Sequence, residues 1–361
     1  MPEIKKIVLT GGPCAGKTTA LIKVIEHFNS LGYQVFTIPE VPTMFAQAGM
    51  NYLTKNQGLF YQGEKATLEI QLGLEDKFMR MAKECDKPTL IVCDRGTMDI
   101  SAYMKPEMWE DIMQAVGTST RALRDERYDA VLHLVSAADG AERFYTTSNN
   151  KERTEGLELA RLLDKKVINA WTGHPRLRVI NNDVDFDRKI NRVVKEISNV
   201  LGLPQPIANE RKYIVEVTGD VPDDNVADIT QTYLVSEPSS EVRLRKREWQ
   251  GNRVNVHTTT KRISPKEEIV VERQVSNNLY ESLLQQADPY RQTIHKLRKS
   301  FIYKGQFFEL DTYLEPANHL VILETKGIAH HEDINFPPFL RVVKDITGNT
   351  SYYNYNLAVK K

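Results

Sequence analysis

Short apolar runs alternate with longer helical patterns through the first ~200 residues. The segments KIVLTG, YQVFTIPE, TLIVCDR, AVLHLVS and LRVINN are β-branched and apolar at consecutive positions, as strands buried on both faces are. Between them, GKTTALIKVIEHFNSLG, LFYQGEKATLEIQLGLEDKFMRMAKE and EGLELARLLDKKVINAW carry apolar residues at helical spacing. Strand and helix in alternation predict an α/β domain, a parallel sheet with helices on both faces.

The pattern changes after VLGLPQPIANE, where two prolines near a glycine read as a linker around Leu203 to Ile207. Domains are therefore expected over 1–203 and 207–361. In the second, ERKYIVEV, ITQTYLV, EVRLRKRE, RVNVHTTTKR, EEIVVERQV, TIHKLRKSFIYKG, QFFELDTYL and HLVILETKG alternate their side chains, with turn signals such as WQGN and YKGQ between them. They predict an antiparallel α+β sheet or barrel with a few helices.

Composition narrows the class. The chain has 361 residues, 41% hydrophobic and 27% charged, with a formal net charge of zero. No global field points to nucleic acid, and any basic patch must be local. Cys14, Cys85 and Cys93 are too few for a disulfide scaffold and suit a reducing compartment. No apolar run approaches the ~18 residues of a membrane span. A cytoplasmic protein is expected, with peripheral membrane association left open.

The sharpest motif is GGPCAGKTT. Gly11, Gly16, Lys17 and Thr18 match G-x-x-x-x-G-K-[ST] between a strand and a helix. Gly11, Gly12, Pro13, Cys14, Ala15 and Gly16 would turn backbone amides toward phosphates, at a helix start that adds its dipole. Lys17 would reach the β- and γ-phosphates of GTP or ATP, and Thr18 would ligate Mg²⁺, with Thr19 beside it. Asp94, closing TLIVCD, is placed to hold the metal, unless it only caps a helix. Glu40, ending FTIPE, could be a base, a metal-shell ligand, a substrate contact or a plain loop carboxylate. Arg143 and Arg153 flank a polar stretch that reads as a lid, or as a solvated loop. Asn182 follows a late strand and could face the base. Gln71 and Glu75 read as a solvent-facing i, i+4 pair.

In the second half, charges recur at every second position, which sends them to one face of each strand. Glu210 pairs with Lys212, Arg243 with Arg245 and Arg247, Lys296 with Arg298, Glu309 with Asp311, and Glu324 with Lys326. Arg253, Asn255, His257, Thr259 and Lys261 are likewise polar at alternate positions, and Glu272 lies in VVERQV. One such strand is most simply a solvated face. Many of them opposite apolar faces predict a barrel lined with both signs, able to bind a polyanion.

The strings NERKYIVEV, VRLRKR, TTTKR, VVERQVS, HKLRKSFIYKGQFFELDTY and VILETKG resemble, in order, the strands of the CYTH or triphosphate-tunnel fold. VLTGGPCAGKTT, TIPEVPT and LIVCDRGTMDISAY resemble P-loop domains of the nicotinamide-riboside kinase kind. Both together, across nearly the whole chain, resemble the TRPL translocation defect protein 14 family. That resemblance implies GTP binding in the first domain, phospholipid binding (notably phosphatidic acid) in the tunnel domain, and a role in membrane-protein trafficking. Tunnel enzymes open with Glu-x-Glu-x-Lys, whose glutamates help hold metal. This chain reads Ala208, Asn209, Glu210, Arg211, Lys212, so the first glutamate is missing, and Ile322 stands where an acid could precede Glu324. The departure favours an anion-binding tunnel over a triphosphate hydrolase. A GTP-binding regulatory protein with slow, Mg²⁺-dependent hydrolysis leads. A nucleoside-type kinase, built on Glu40 and Asp94-Arg95-Gly96, and an inorganic triphosphatase are the alternatives.

Overall fold

The computed structural model describes residues 3–52, 54–142, 156–206, 210–264, 267–325 and 331–360. The chain divides into two compact units, Met1–Val194 and Lys195–Lys361. The first contains β1 (Ile4–Thr10), α1 (Lys17–Ser30), β2 (Gln34–Ile38), α2 (Val41–Gln47), α3 (Gln57–Lys83), β3 (Thr89–Asp94), α4 (Thr97–Ser101), α5 (Pro106–Val116), β4 (Ala130–Leu134), α6 (Leu157–Trp171) and β5 (Leu177–Ile180). The division falls within α7 (Phe186–Val200).

The five strands are parallel, in the order β2-β3-β1-β4-β5. Their continuous apolar runs are those of strands covered on both sides. Ile7, Val8 and Leu9 of β1 and Leu90, Ile91, Val92 and Cys93 of β3 are all buried. The step from β1 to β2 runs opposite to every later step, so right-handed crossovers put α1 on one face and α3, α4 and α6 on the other. Accordingly α4 packs against both α3 and α6. The reversal opens a crevice at the carboxyl end of β1, the usual ligand position of such sheets.

Gln71 and Glu75 correct the expectation of a solvent-facing pair, since both are buried. Glu75 accepts hydrogen bonds from Lys6 Nζ (2.9 Å), Arg127 Nε (2.5 Å), Tyr128 Oη (2.7 Å) and Gln71 Nε2 (2.7 Å). The i, i+4 spacing is the same for a wet and a dry pair. What differs is that β1 and the segment before β4 bring two cations to a carboxylate that could not otherwise be buried.

The second unit contains β6 (Gln205–Pro206), β7 (Arg211–Val217), β8 (Val226–Leu234), β9 (Ser240–Trp249), β10 (Asn252–Ser264), β11 (Glu267–Val275), α8 (Asn277–Leu284), β12 (Ile294–Tyr303), β13 (Gln306–Glu315), β14 (Val321–Thr325), β15 (Leu340–Asp345) and α9 (Asn354–Leu357). The sheet order is β15-β7-β14-β13-β12-β8-β9-β10-β11-β6, and each neighbouring pair is antiparallel. Seven steps separate β7 from β11, which a flat sheet would spread over about 34 Å. Yet Glu268 on β11 and Arg243 on β9 both feel the charge of Glu210, beside β7. Charges interact over roughly 10 Å, so the sheet curls around its charged face. Tyr213, Phe301, Phe308, Leu310 and Leu323 form an apolar cluster on the other face. One end of the inner face is apolar too, where Tyr233, Ile294, Tyr313 and Ile322 pack on Ile346 and Ala358 of the closing segment.

Register decides which charges share that inner face. Arg298 lies opposite Asp311, Glu309 opposite Glu324, and Glu324 opposite Lys212. Arg243 lies between Tyr233 and Thr258, and Thr258 is opposite Glu272. Lys261 does not belong to this set. It pairs with Ser240 and Ile269, faces away from Arg243 and is exposed. The cause is the two-residue turn Gln250–Gly251, with both φ positive (44° and 76°), which sets Trp249 against Asn252. Odd positions of β9 then oppose even positions of β10, so Val256 and Thr258 point inward and the Arg253-to-Lys261 row points out.

Candidate functional site

The loop between β1 and α1 has the turned backbone its glycines predict. Gly11, Cys14 and Gly16 have φ of 138°, 55° and 89°. A Cβ at Gly11 would lie 2.1 Å from the Leu134 carbonyl oxygen, so only glycine fits there. Lys17 starts α1 and folds back, donating to Gly11 O (2.8 Å) and Gly12 O (3.1 Å). Burial, with Arg95 nearby, lowers its pKa to about 8 against the pull of Asp94, Glu40 and Asp99. Thr18 and Thr19 are exposed on the first turn of α1.

Three acids surround this cation. Asp94 ends β3; burial raises its pKa although Lys17 opposes the shift, and its Oδ1 is buried with no hydrogen-bond partner. Glu40, capping α2, accepts from Arg95 Nε at 2.5 Å. Burial would raise the Glu40 pKa, but the Arg95 guanidinium and Lys17 ammonium hold it below the ordinary value. Asp99 accepts from Thr10 Oγ1, Gly96 N (2.9 Å) and Trp171 Nε1 (3.0 Å). Arg95 itself is left-handed, with φ 68°, a cost for a non-glycine residue, and its ion pair with Glu40 fixes its direction.

A second group holds the loop from the β4–α6 side. Asp164 on α6 accepts from Gly12 N (2.6 Å) and Ser136 N (3.3 Å), with His133 Nε2 at 3.3 Å. Burial would raise its pKa, but His133 and the two amides hold it below the ordinary range. Ser136 Oγ donates to Pro13 O (2.5 Å), Ala137 N to Cys14 O (3.3 Å), and Lys189 Nζ to Ala15 O (3.1 Å). Asn182 belongs here rather than at a base. Its Nδ2 donates to Ser136 O (2.8 Å) and Asp139 O (2.7 Å), and its Oδ1 accepts from Lys189 Nζ (2.6 Å). Both amide hydrogens and one acceptor site of the side chain are taken up by the loop support.

In the second unit, Asp311 is fully buried between Lys296 Nζ (2.5 Å) and the Nε and Nη2 of Arg298 (both 2.6 Å). Arg298 also reaches Glu309 (2.8 Å) and Glu324 (3.3 Å), while Lys212 lies 3.0 Å from Glu324 and 3.2 Å from Glu210. Burial would raise the Asp311 pKa, but Arg298 and Lys296 keep it below the ordinary value. Arg243 and Arg245 are held less closely, each 3.7 Å from Glu272.

Residues 6–189, just over half of the 361-residue chain, match the family described as AAA domain. The chain belongs to this AAA-domain family. No curated protein sequence matches it. Among solved structures, the chain is similar to the inorganic triphosphatase NE1496, at 23% identity and a TM-score of 0.32, covering 44% of this chain and 97% of that one. It is also similar to PH1819 protein from Pyrococcus horikoshii OT3, at 19% identity and a TM-score of 0.25, covering 34% and 80%.

The AAA domain is a P-loop NTPase-like unit, and its residues fit a magnesium–nucleotide pair. The buried unpartnered Oδ1 of Asp94 and the exposed Thr18 suit a hard oxygen-seeking cation beside phosphates. The second unit fits a metal poorly. Its inner carboxylates are met by cations, and among the described residues no three histidine, cysteine or acidic side chains converge as ligands. Arg143, Arg153 and Lys326 lie outside the described residues. The sequence pattern carried Arg95 only as part of Asp94-Arg95-Gly96 and gave no role to Asp99, Asp164 or Lys189. CDRG signalled Arg95, but Asp164 reads as one more polar residue of an amphipathic helix. No described helix is long and apolar enough to cross a membrane.

Proposed function

We propose that this protein is a GTP-binding regulatory protein with slow, Mg²⁺-dependent hydrolysis, whose second unit binds an anionic phosphate group such as a phospholipid headgroup. Lys17 and the loop amides bind the phosphates, and Thr18 and Asp94 would hold the metal. Mg²⁺, when bound, neutralises charge on the phosphates. Asp164, Ser136 and Lys189 keep the loop in its binding shape.

The observation that carries the regulatory reading is the Glu40–Arg95 pair. A carboxylate held ionised by a guanidinium is a weak base toward an acceptor hydroxyl, so the residue a kinase would use is disarmed. Its remaining role is to orient water through Arg95, which suits slow hydrolysis. Guanine preference, peripheral membrane association and the trafficking role follow the family resemblance, and 1–203 and 207–361 as the functional domains follow the linker around Leu203 to Ile207.

A nucleoside-type kinase is favoured by a different residue. Glu64 of α3 is buried near Tyr52, whose pKa is raised by burial and then by the charges of Glu64 and Glu40. Desolvation pushes the pKa of Glu64 itself up to about 7, in the range of a working base.

Thermal-shift titration tests the leading reading. GTP with Mg²⁺ should raise the melting temperature of the wild type by mass action and leave Lys17→Ala unmoved, with ATP giving a smaller shift. An undiminished GTP shift in Lys17→Ala would overturn it. Phosphate transfer from labelled nucleotide to a nucleoside, faster than to water, would favour the kinase.

A further inference from the structure

Charges on the inner face of the second unit are unevenly matched. On the β7, β14 and β13 side, the acids are closely held. Arg298 reaches Asp311 (2.6 Å), Glu309 (2.8 Å) and Glu324 (3.3 Å), Lys296 adds a contact to Asp311, and Lys212 is shared between Glu324 (3.0 Å) and Glu210 (3.2 Å). On the β9 side, Arg243 and Arg245 lie 3.7 Å from Glu272, beyond hydrogen-bond distance. The Nε of Arg243 is buried without a hydrogen-bond partner. Burial lowers the pKa of Arg245, and the charges of Arg243 and Arg298 lower it further against Glu272. Glu241 lies 3.8 Å from Arg243, so the two guanidiniums face two acids there, neither acid within hydrogen-bond distance.

A divalent cation bridging an anion to protein acids needs carboxylate oxygens open to it at about 2.0–2.6 Å. Both oxygens of Asp311 already accept from Arg298, and Oδ2 accepts from Lys296 as well. Glu309 and Glu324 meet the same guanidinium. A metal entering there would face Arg298 at contact distance, where like charges repel. A guanidinium fixed by three carboxylates is instead a permanent cation that needs no exchange with solvent.

We propose that Arg298 stands in the place of a divalent metal, so that the Arg243–Arg245 seat binds a phosphate-class oxyanion without one. The inference rests on the anion-binding reading of this unit and adds that metal is dispensable to it. The shared ligand chemistry is a phosphoryl oxyanion, from a lipid headgroup or from a free polyphosphate.

Calorimetric titration of full-length Lys17→Ala, whose nucleotide loop is silenced, separates the cases. Tripolyphosphate and short-chain phosphatidic acid are each titrated with chelator and again with excess Mg²⁺. Binding with chelator should be as tight as with Mg²⁺, within about twofold, for whichever source binds. Binding that vanishes in chelator and returns with Mg²⁺ overturns the inference and leaves the anion-binding reading standing. Failure of both probes in both buffers overturns the anion-binding reading, and the inference with it. In the same background, Arg298→Gln should lose at least tenfold in chelator-resistant affinity and Arg298→Lys should lose less. Undiminished affinity in folded Arg298→Gln would remove Arg298 from the role.

Discussion

Lys17 shows how a single residue's environment becomes a measurable property. Its ammonium donates to two loop carbonyls in a half-buried position, where burial lowers its pKa to about 8. Bound phosphates would hold the charge to higher pH, so binding takes up a proton wherever the free protein has lost one. Nucleotide affinity should therefore be flat below the free-protein pKa and fall above it, approaching tenfold per pH unit. Dissociation constants measured across this range check the sign; a constant affinity to well above the pKa would contradict it. The motif announced this lysine and its place beside phosphate. Its depressed pKa depends on burial and then on Arg95, whose left-handed backbone and pairing with Glu40 no local pattern predicts.

At the scale of elements, α6 matters less as a helix than as the carrier of Asp164. The helix was legible from its apolar spacing, but its function depends on β4 bringing His133 and Ser136 to the same carboxylate. Asp164→Ala would strand the buried Gly12 amide and His133, costing about 1–3 kcal/mol and loosening the loop's first turn. Its melting temperature should drop and its GTP affinity weaken by about tenfold. Asp164→Asn keeps an acceptor oxygen and should lose less of both. Equal nucleotide affinity in wild type and Asp164→Ala would show that the contact does not shape the loop. The strands of the first unit were legible because β-branched runs buried on both faces leave little choice. The short helices α4 and α5 and the strand β15 escaped, since so few turns or residues carry little periodicity. The outward side of β10 escaped for another reason: alternation within one strand does not say which face is inward, and one turn sets the parity of two strands.

At the scale of the whole chain, the two compact units carry different candidate chemistry. A nucleotide loop occupies one, and a curled sheet lined with both signs occupies the other. Substitutions should therefore dissociate in both directions. Arg245→Ala should abolish the thermal shift produced by tripolyphosphate or phosphatidic acid and keep that produced by GTP, reversing the pattern of Lys17→Ala. Loss of both shifts in one folded variant would contradict this assignment of ligands.

By itself the sequence determined what is local and periodic: the alternating strands and helices, the glycine loop with Lys17 and Thr18, and the strands with charges at every second position. Tertiary structure decided what depends on partners far along the chain. Glu75 is buried because Lys6 and Arg127 reach it, and Asn182 supports the loop because Lys189 and three carbonyls claim its amide. Lys261 points outward because a turn fixes register, and Arg298 is surrounded by acids because β12, β13 and β14 are neighbours. Periodicity is written into neighbouring residues, whereas the pairing of buried charges is settled only when the chain folds back on itself.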